Sequence, residues 1–81
     1  MQVNIKLFAH LRKKLPKGSA GKATLDLTDD ATINDLIQHL DIPPDLAQMV
    51  LVNGKQTREF DEPLTAGDQV SIFPPVAGGL E

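Results

Sequence analysis

The sequence predicts an α+β domain in which one mixed sheet of four to five strands packs on one main helix. Two observations lead to this class. Short segments with the apolar–polar alternation of half-buried strands lie near both ends of the chain, and one segment between them repeats its apolar residues at helical spacing. An Asn-Gly pair in the second half adds a β-hairpin. The order strand, strand, helix, strand, short strand, strand suits a single sheet covered by one helix.

The first strand begins almost at the first residue, because Val3, Ile5 and Leu7 alternate with polar side chains. Phe8 falls on the opposite face, where it either covers a second surface or is available to a partner. A short helical turn over 9–15 follows, and Pro16 ends it.

Residues 17–22 contain two glycines and predict an exposed loop. The alternation over 23–27 then predicts a second strand, which can pair with the first in antiparallel fashion.

The main helix is predicted to begin after Thr32 as its N-cap, with Asp35 placed to complete a capping box. It ends near Asp41, because Pro43 disfavours helical geometry at the residue before it. Its apolar face consists of Ile33, Leu36, Ile37 and Leu40.

The second half contains three further strand segments. Residues 49–52 are an uninterrupted apolar run, Asn53 and Gly54 predict a tight turn, and 55–57 form a short polar return strand. After an irregular stretch anchored by Phe60, alternation over 69–73 predicts the final strand.

Composition excludes several classes of function. The formal net charge of −3 gives no support to nucleic-acid binding, and the absence of cysteine excludes disulfides, thiolate zinc sites and cysteine nucleophiles. No apolar run approaches the roughly 20 residues that span a bilayer, and no signal peptide is visible. We therefore expect a soluble, cytoplasmic domain without a metal site, a membrane contact or a nucleic-acid partner.

The residues do not assemble into an active site of the usual kinds. His10 and His39 are interpreted as surface residues, and Ser19 and Ser71 lack the spacing of a nucleophile with its base. An autonomous enzyme is not expected. One basic cluster is either a solvated face or a docking site for an acidic partner: Arg12, Lys13, Lys14, Lys17 and Lys22.

The C-terminal segment is the part of the chain that can offer a reactive group. Pro74 and Pro75 cannot donate to a ladder, so they end the last strand and favour a stiff, extended exit. Gly78 and Gly79 then form a slim tip that carries no side chains. A Gly-Gly carboxylate has an unhindered acyl carbon that a partner can activate. The alternative is that the diglycine is only a disordered end or a linker.

Residues 64–79 resemble the C-terminal signature of the MoaD/ThiS sulfur-carrier family, and residues 3–15 are similar to the start of its members. The Phe-Pro-Pro-Val run favours the branch of the molybdopterin synthase small subunits (MoaD) over the thiamin carriers (ThiS). The resemblance implies a ubiquitin-like, β-grasp fold with the first and last strands parallel at the sheet centre. Residues 1–73 would form this domain, 74–79 a flexible diglycine tail, and 80–81 the remnant of an expression tag.

The resemblance also implies a carrier that is not itself catalytic and binds no cofactor. An E1-like enzyme would use ATP and Mg to adenylate the Gly79 carboxylate, and a sulfurtransferase or cysteine desulfurase would supply sulfur for a thiocarboxylate. The tail would then enter the large subunit of molybdopterin synthase, and an exposed apolar patch on the sheet would dock partners. Gly78 would allow the tail to pass close to the walls of a narrow partner site. The residues expected to guide the tail are Phe73, Pro74, Pro75, Val76 and Ala77.

Three alternatives remain open: a thiamin-type sulfur carrier, a ubiquitin-like modifier conjugated through Gly79, and an interaction module with an inert tail. A thiocarboxylate on Gly79 requires a free carboxyl group, whereas Leu80 and Glu81 follow it. The pair is therefore expected to be a tag remnant. Otherwise it is an extension removed by a protease, or it marks a paralogue that carries no sulfur.

Overall fold

The computed structural model describes residues 1–15 and 18–75, and its elements follow the predicted order. The five strands are β1 (Gln2–Leu7), β2 (Lys22–Asp26), β3 (Met49–Val52), β4 (Lys55–Thr57) and β5 (Gln69–Phe73). The main helix is α1 (Ile33–His39), and two 3-10 helices cover Ala9–Lys14 and Pro44–Leu46. The α+β class with one main helix is confirmed.

The strands form one mixed sheet in the order β2-β1-β5-β3-β4. β1 and β5 run parallel, with Leu7 beside Ile72, whereas β1–β2, β3–β5 and β3–β4 are antiparallel. The first and last strands are therefore neighbours, with β5 at the centre. This is the β-grasp arrangement that the resemblance implied.

The hydrophobic core lies between α1 and one face of the sheet. Strand alternation sends every second side chain to that face, and the helix contributes its apolar stripe. Burial of each such aliphatic side chain stabilises the fold by roughly 1.5–3 kcal/mol. The core residues from these elements, all at most 2% exposed, are Val3, Ile5, Leu7, Ile33, Leu36, Ile37, Val50, Val70 and Ile72.

Both ends of α1 match the sequence prediction. At the start, the Asp35 backbone N–H donates to the Thr32 hydroxyl (3.1 Å), and the Thr32 N–H donates to the Asp35 carboxylate (3.0 Å), which completes the capping box. At the other end, Asp41 has a φ of 58°, and the Ile42 N–H donates to the Ile37 carbonyl at 2.8 Å. The helix thus ends before Pro43, as predicted.

The prediction of an exposed loop over 17–22 is wrong at its C-terminal end. Gly21 is buried, and its carbonyl accepts a 2.7 Å hydrogen bond from the Leu7 N–H, while Lys22 already belongs to β2. A Cβ at Gly21 would lie 2.6 Å from the Leu7 carbonyl oxygen. The β1–β2 pairing therefore draws this glycine against β1.

The structure bears on the predicted segment boundaries only in part. β5 ends at Phe73, the last residue of the predicted domain. Residues 76–81, with the rest of the tail and the Leu80-Glu81 pair, lie outside the described residues, as do Pro16 and Lys17. The division of the chain at those positions stays a prediction. Within 1–15 and 18–75, no helix has the length and apolar character needed to cross a membrane.

Candidate functional site

The C-terminal tail leaves the domain from the central strand of the sheet. Phe73 is the last residue of β5, and Pro74 (half-buried) and Pro75 (exposed) follow it. Because β5 lies between β1 and β3, the exit point is surrounded by paired strands rather than placed at a sheet edge. The start of the tail therefore has a fixed position on the domain.

Backbone hydrogen bonds hold the end of β5 from both sides. The Gln48 N–H donates to the Phe73 carbonyl at 3.0 Å, and the Phe8 N–H donates to the Ile72 carbonyl at 3.3 Å. These contacts extend the β3 and β1 ladders to the last residues of the strand. The chain is thus restrained until the two prolines begin.

The rings of Phe8 and Phe73 stack on each other, with centroids 4.0 Å apart and planes 11° from parallel. Leu7 and Ile72 are register partners in the core, so the next residue of each chain segment falls on the opposite face of the sheet. Phe8 is half-buried in this position. The second surface that Phe8 was predicted either to cover or to offer to a partner is therefore the surface around Phe73.

A lysine lies beside this aromatic pair. The Lys6 ammonium nitrogen is 5.0 Å from the centroid of the Phe8 ring, within the range of a cation–π contact. Lys6 and Phe8 are two residues apart on the same face of the sheet. The start of the tail is thus bordered by an aromatic surface and a positive charge.

Two aliphatic side chains extend the apolar surface across β3. Met49 is the register partner of Phe73 and is 41% exposed, and Leu51 is half-buried on the same face. We call the set Phe8, Met49, Leu51 and Phe73 the root surface. It lies on the face of the sheet turned away from α1, and Met49 is its exposed member. This set is the candidate for the apolar docking patch that the resemblance implied.

The structure places only part of the predicted site. Phe73, Pro74 and Pro75 are at the sheet end, whereas Val76, Ala77, Gly78 and Gly79 lie outside the described residues. Sequence reasoning missed Lys6 and Met49 and did not pair Phe8 with Phe73. The available signal was the phase of Phe8, which is opposite to that of Val3, Ile5 and Leu7.

The other candidate residues do not form a site. His10 and His39 are both exposed, and in the described part of the chain no three His, Asp or Glu side chains gather as metal ligands. In the basic cluster Lys14 lies 3.9 Å from the Asp41 carboxylate, a weak surface pair. The solvated-face and docking interpretations of this cluster both remain.

Comparison with known proteins identifies the family. The model of the ThiS family matches residues 5–79, up to the second glycine of the tail. The chain is 36% identical to the molybdopterin synthase sulfur carrier subunit of Escherichia coli (strain K12), in an alignment covering 95% of this chain and 99% of that protein. It is 34% identical to small archaeal modifier protein 3 of Haloferax volcanii, covering 98% of this chain and 100% of that protein.

A solved structure agrees with these relatives. The crystal structure of SAMP1 from Haloferax volcanii superimposes with a TM-score of 0.70 at 28% identity, covering 98% of this chain and 100% of that chain. The curated relatives are named as a carrier subunit and a modifier, in accord with the prediction of a non-catalytic protein. With its β-grasp sheet and a family match that extends from β1 to Gly79, the chain belongs to the ThiS family.

Proposed function

We propose that this protein is a sulfur carrier for the biosynthesis of molybdopterin, with the Gly79 carboxylate as the group that carries sulfur. The observation that supports this best is the family match through Gly79, together with 36% identity to a protein named as a molybdopterin synthase sulfur carrier subunit. The Pro74-Pro75 pair, which favoured that branch from sequence, directly follows the central strand.

The proposed chemistry takes place in the partners. An E1-like enzyme uses ATP and Mg to convert the Gly79 carboxylate to an acyl adenylate, with release of pyrophosphate. The terminal sulfur of a persulfide on a sulfurtransferase or cysteine desulfurase attacks the acyl carbon and displaces AMP, which gives an acyl disulfide. A thiol then attacks the sulfur atom of the enzyme cysteine, so that the S–S bond of the acyl disulfide breaks, the thiol and the enzyme cysteine form a disulfide, and the tail is released. The product is a thiocarboxylate at Gly79. We assign this chemistry to the cytoplasm, where ATP is available.

In this proposal the domain acts as a rigid base for the tail. The root surface docks against the partner, and the paired strands on each side of β5 set the direction in which Pro74 and Pro75 leave. Residues 73–77 guide the tail into the large subunit of molybdopterin synthase, and Gly78 permits close passage through a narrow site. The domain needs no catalytic group of its own, because one partner activates the Gly79 carboxylate and another binds the molecule that receives the sulfur.

Intact mass spectrometry tests the proposal. A chain ending at Gly79 is incubated with the cognate E1-like enzyme, ATP, Mg and a sulfur source. We expect a mass gain equal to the replacement of one oxygen by sulfur. The gain should be absent without ATP and in a matched chain ending at Gly78. With a demonstrably active E1-like enzyme, an unchanged mass would refute the proposal.

The second candidate function is that of a protein modifier. It is supported by 34% identity to small archaeal modifier protein 3 and by the structural similarity to SAMP1. In the same incubation with candidate acceptor proteins, a modifier would give higher-mass conjugates joined through Gly79 to lysine. A thiamin-type carrier would form the same thiocarboxylate, but the large subunit of molybdopterin synthase would not consume it.

A further inference from the structure

The β3–β4 turn contains a chemically labile pair of residues that is held in a specific conformation. Asn53 and Gly54 form the two-residue turn between Val52 and Lys55, with φ values of 54° and 87°. Gly54 is exposed, and a Cβ built on it would have no atom within 4 Å. Glycine has no side chain to hinder attack by its own backbone nitrogen, so Asn-Gly is the sequence in which asparagine deamidates most readily.

The reaction needs only water as a co-reactant. The Gly54 nitrogen forms a bond to the side-chain carbonyl carbon of Asn53, and the bond from that carbon to Nδ2 breaks. Ammonia leaves with the proton that the Gly54 nitrogen gives up. Water then opens the resulting cyclic imide at either carbonyl carbon, which yields aspartate or isoaspartate at position 53.

Both polar atoms of the Asn53 side-chain amide form hydrogen bonds. One partner lies just before β5 and the other is the first residue of β5. Asn53 Nδ2 donates to Asp68 Oδ1 at 2.9 Å, and Asn53 Oδ1 accepts from the Gln69 N–H at 3.0 Å. The other carboxylate oxygen of Asp68 accepts from the Thr65 N–H at 2.8 Å. This bond holds the Asp68 carboxylate in the turn formed by residues 65–68. The amide is thus held by a charge-assisted and a backbone hydrogen bond.

The partners of the amide and the following residue Gly54 lie toward different neighbours of β3. β3 lies between β5 and β4 in the sheet, and both partners of the amide are on the β5 side. Gly54 instead leads the chain toward β4. Any movement of the side-chain carbonyl carbon toward the Gly54 nitrogen therefore has to break the hydrogen bonds to Asp68 and Gln69.

We propose that Asn53 is a latent deamidation site, kept in its amide form by Asp68 and Gln69, and that its conversion separates the β3–β4 hairpin from the start of β5. Aspartate at position 53 would place a carboxylate where Nδ2 now donates to Asp68, so an attraction becomes a like-charge contact. Isoaspartate would also lengthen the backbone within the turn. The modification therefore acts on the strand that leads to the tail.

Measured deamidation rates of the full chain test the first half of the proposal. Wild type, Asp68→Ala and Asp68→Asn are incubated at mildly alkaline pH and digested with trypsin. The tryptic peptide 23–55, which follows Lys22 and ends at Lys55, is analysed by tandem mass spectrometry. Loss of the charge-assisted bond should raise the rate at Asn53 by about tenfold in Asp68→Ala. Asp68→Asn retains an acceptor oxygen, so its rate should lie closer to wild type. Asn34, within the same peptide and followed by Asp35, is the internal control.

A second comparison covers the case in which Asp68→Ala unfolds. Wild type in denaturing urea should deamidate at Asn53 at least about tenfold faster than the folded wild type, because the protecting bonds are absent. For the second half, Asn53→Asp should lower the thermal midpoint, whereas Asn4→Asp should change it less. Equal rates in folded and denatured wild type, or an unchanged midpoint in Asn53→Asp, would overturn the corresponding half of the proposal.

Discussion

Replacing Phe8 with alanine tests whether the aromatic pair at the base of the tail is an energetic unit. Truncating a fully buried phenylalanine costs about 3–5 kcal/mol, and Phe8 is half-buried, so about half of that applies. This estimate includes a contribution of about 1 kcal/mol from the stack with Phe73, whose ring centroid lies 4.0 Å away. We therefore expect Phe8→Ala to lower the free energy of unfolding by about 2 kcal/mol.

The stack itself is measured with a double-mutant cycle. Urea denaturation of wild type, Phe8→Ala, Phe73→Ala and the double variant gives the coupling free energy, provided that the slope against denaturant stays constant. We expect a coupling of about 1 kcal/mol. In thermal unfolding, the single variant should lose roughly 8–16 °C for a domain of this size.

Phe60→Ala provides the matched control. Phe60 is the third phenylalanine and is also partly buried against the core, but its ring is not part of the Phe8–Phe73 stack. In a double-mutant cycle of Phe60→Ala with Phe73→Ala, the two losses in unfolding free energy should add to within about 0.3–0.5 kcal/mol. A Phe8–Phe73 coupling no larger than that control value would refute the view that the aromatic pair is an energetic unit.

Four further substitutions test the fold by the same denaturation measurement. Gly21→Ala and Gly18→Ala both place alanine at positive φ, but only Gly21 would bring a Cβ to 2.6 Å from the Leu7 carbonyl oxygen. Gly21→Ala should therefore cost about 1–3 kcal/mol more than Gly18→Ala, and equal losses would contradict the close contact. Thr32→Ala should cost about 1 kcal/mol by removing the N-cap, and no change would mean that the capping box is not stabilising. Ile72→Val, which removes one methylene group from the core, should cost about 0.5–1.5 kcal/mol, and a neutral result would indicate a loosely packed centre.

The secondary-structure elements were largely predictable because their signals are local. Thr32 and Asp35 lie three residues apart and form the capping box that this spacing predicts. Asn53-Gly54 forms the tight turn that its backbone preferences predict. Alternation likewise identified the inward residues of β1 and β5, because one face of each strand is buried on the same core.

Contacts between distant parts of the chain were harder to predict. Phe8 was recognised as out of phase with β1, but its partner depends on the parallel pairing of the first and last strands, which no local pattern encodes. Gly21 was assigned to an exposed loop because glycine favours turns, whereas the ladder between β1 and β2 draws it inward. The function of the tail came from resemblance, since a diglycine pair alone also suits a linker.

The position of β5 has a consequence for how the molecule is made. Without β5 the sheet consists of two separate antiparallel pairs, β2–β1 and β3–β4, and isolated two-stranded hairpins are marginally stable in water. The strand that joins them is the last one in chain order and is directly followed by the tail. Folding thus depends on contacts between the two ends of the domain, which are slow to form. Under the proposed function, a partner that requires both the root surface and the tail would therefore accept only chains that have completed folding.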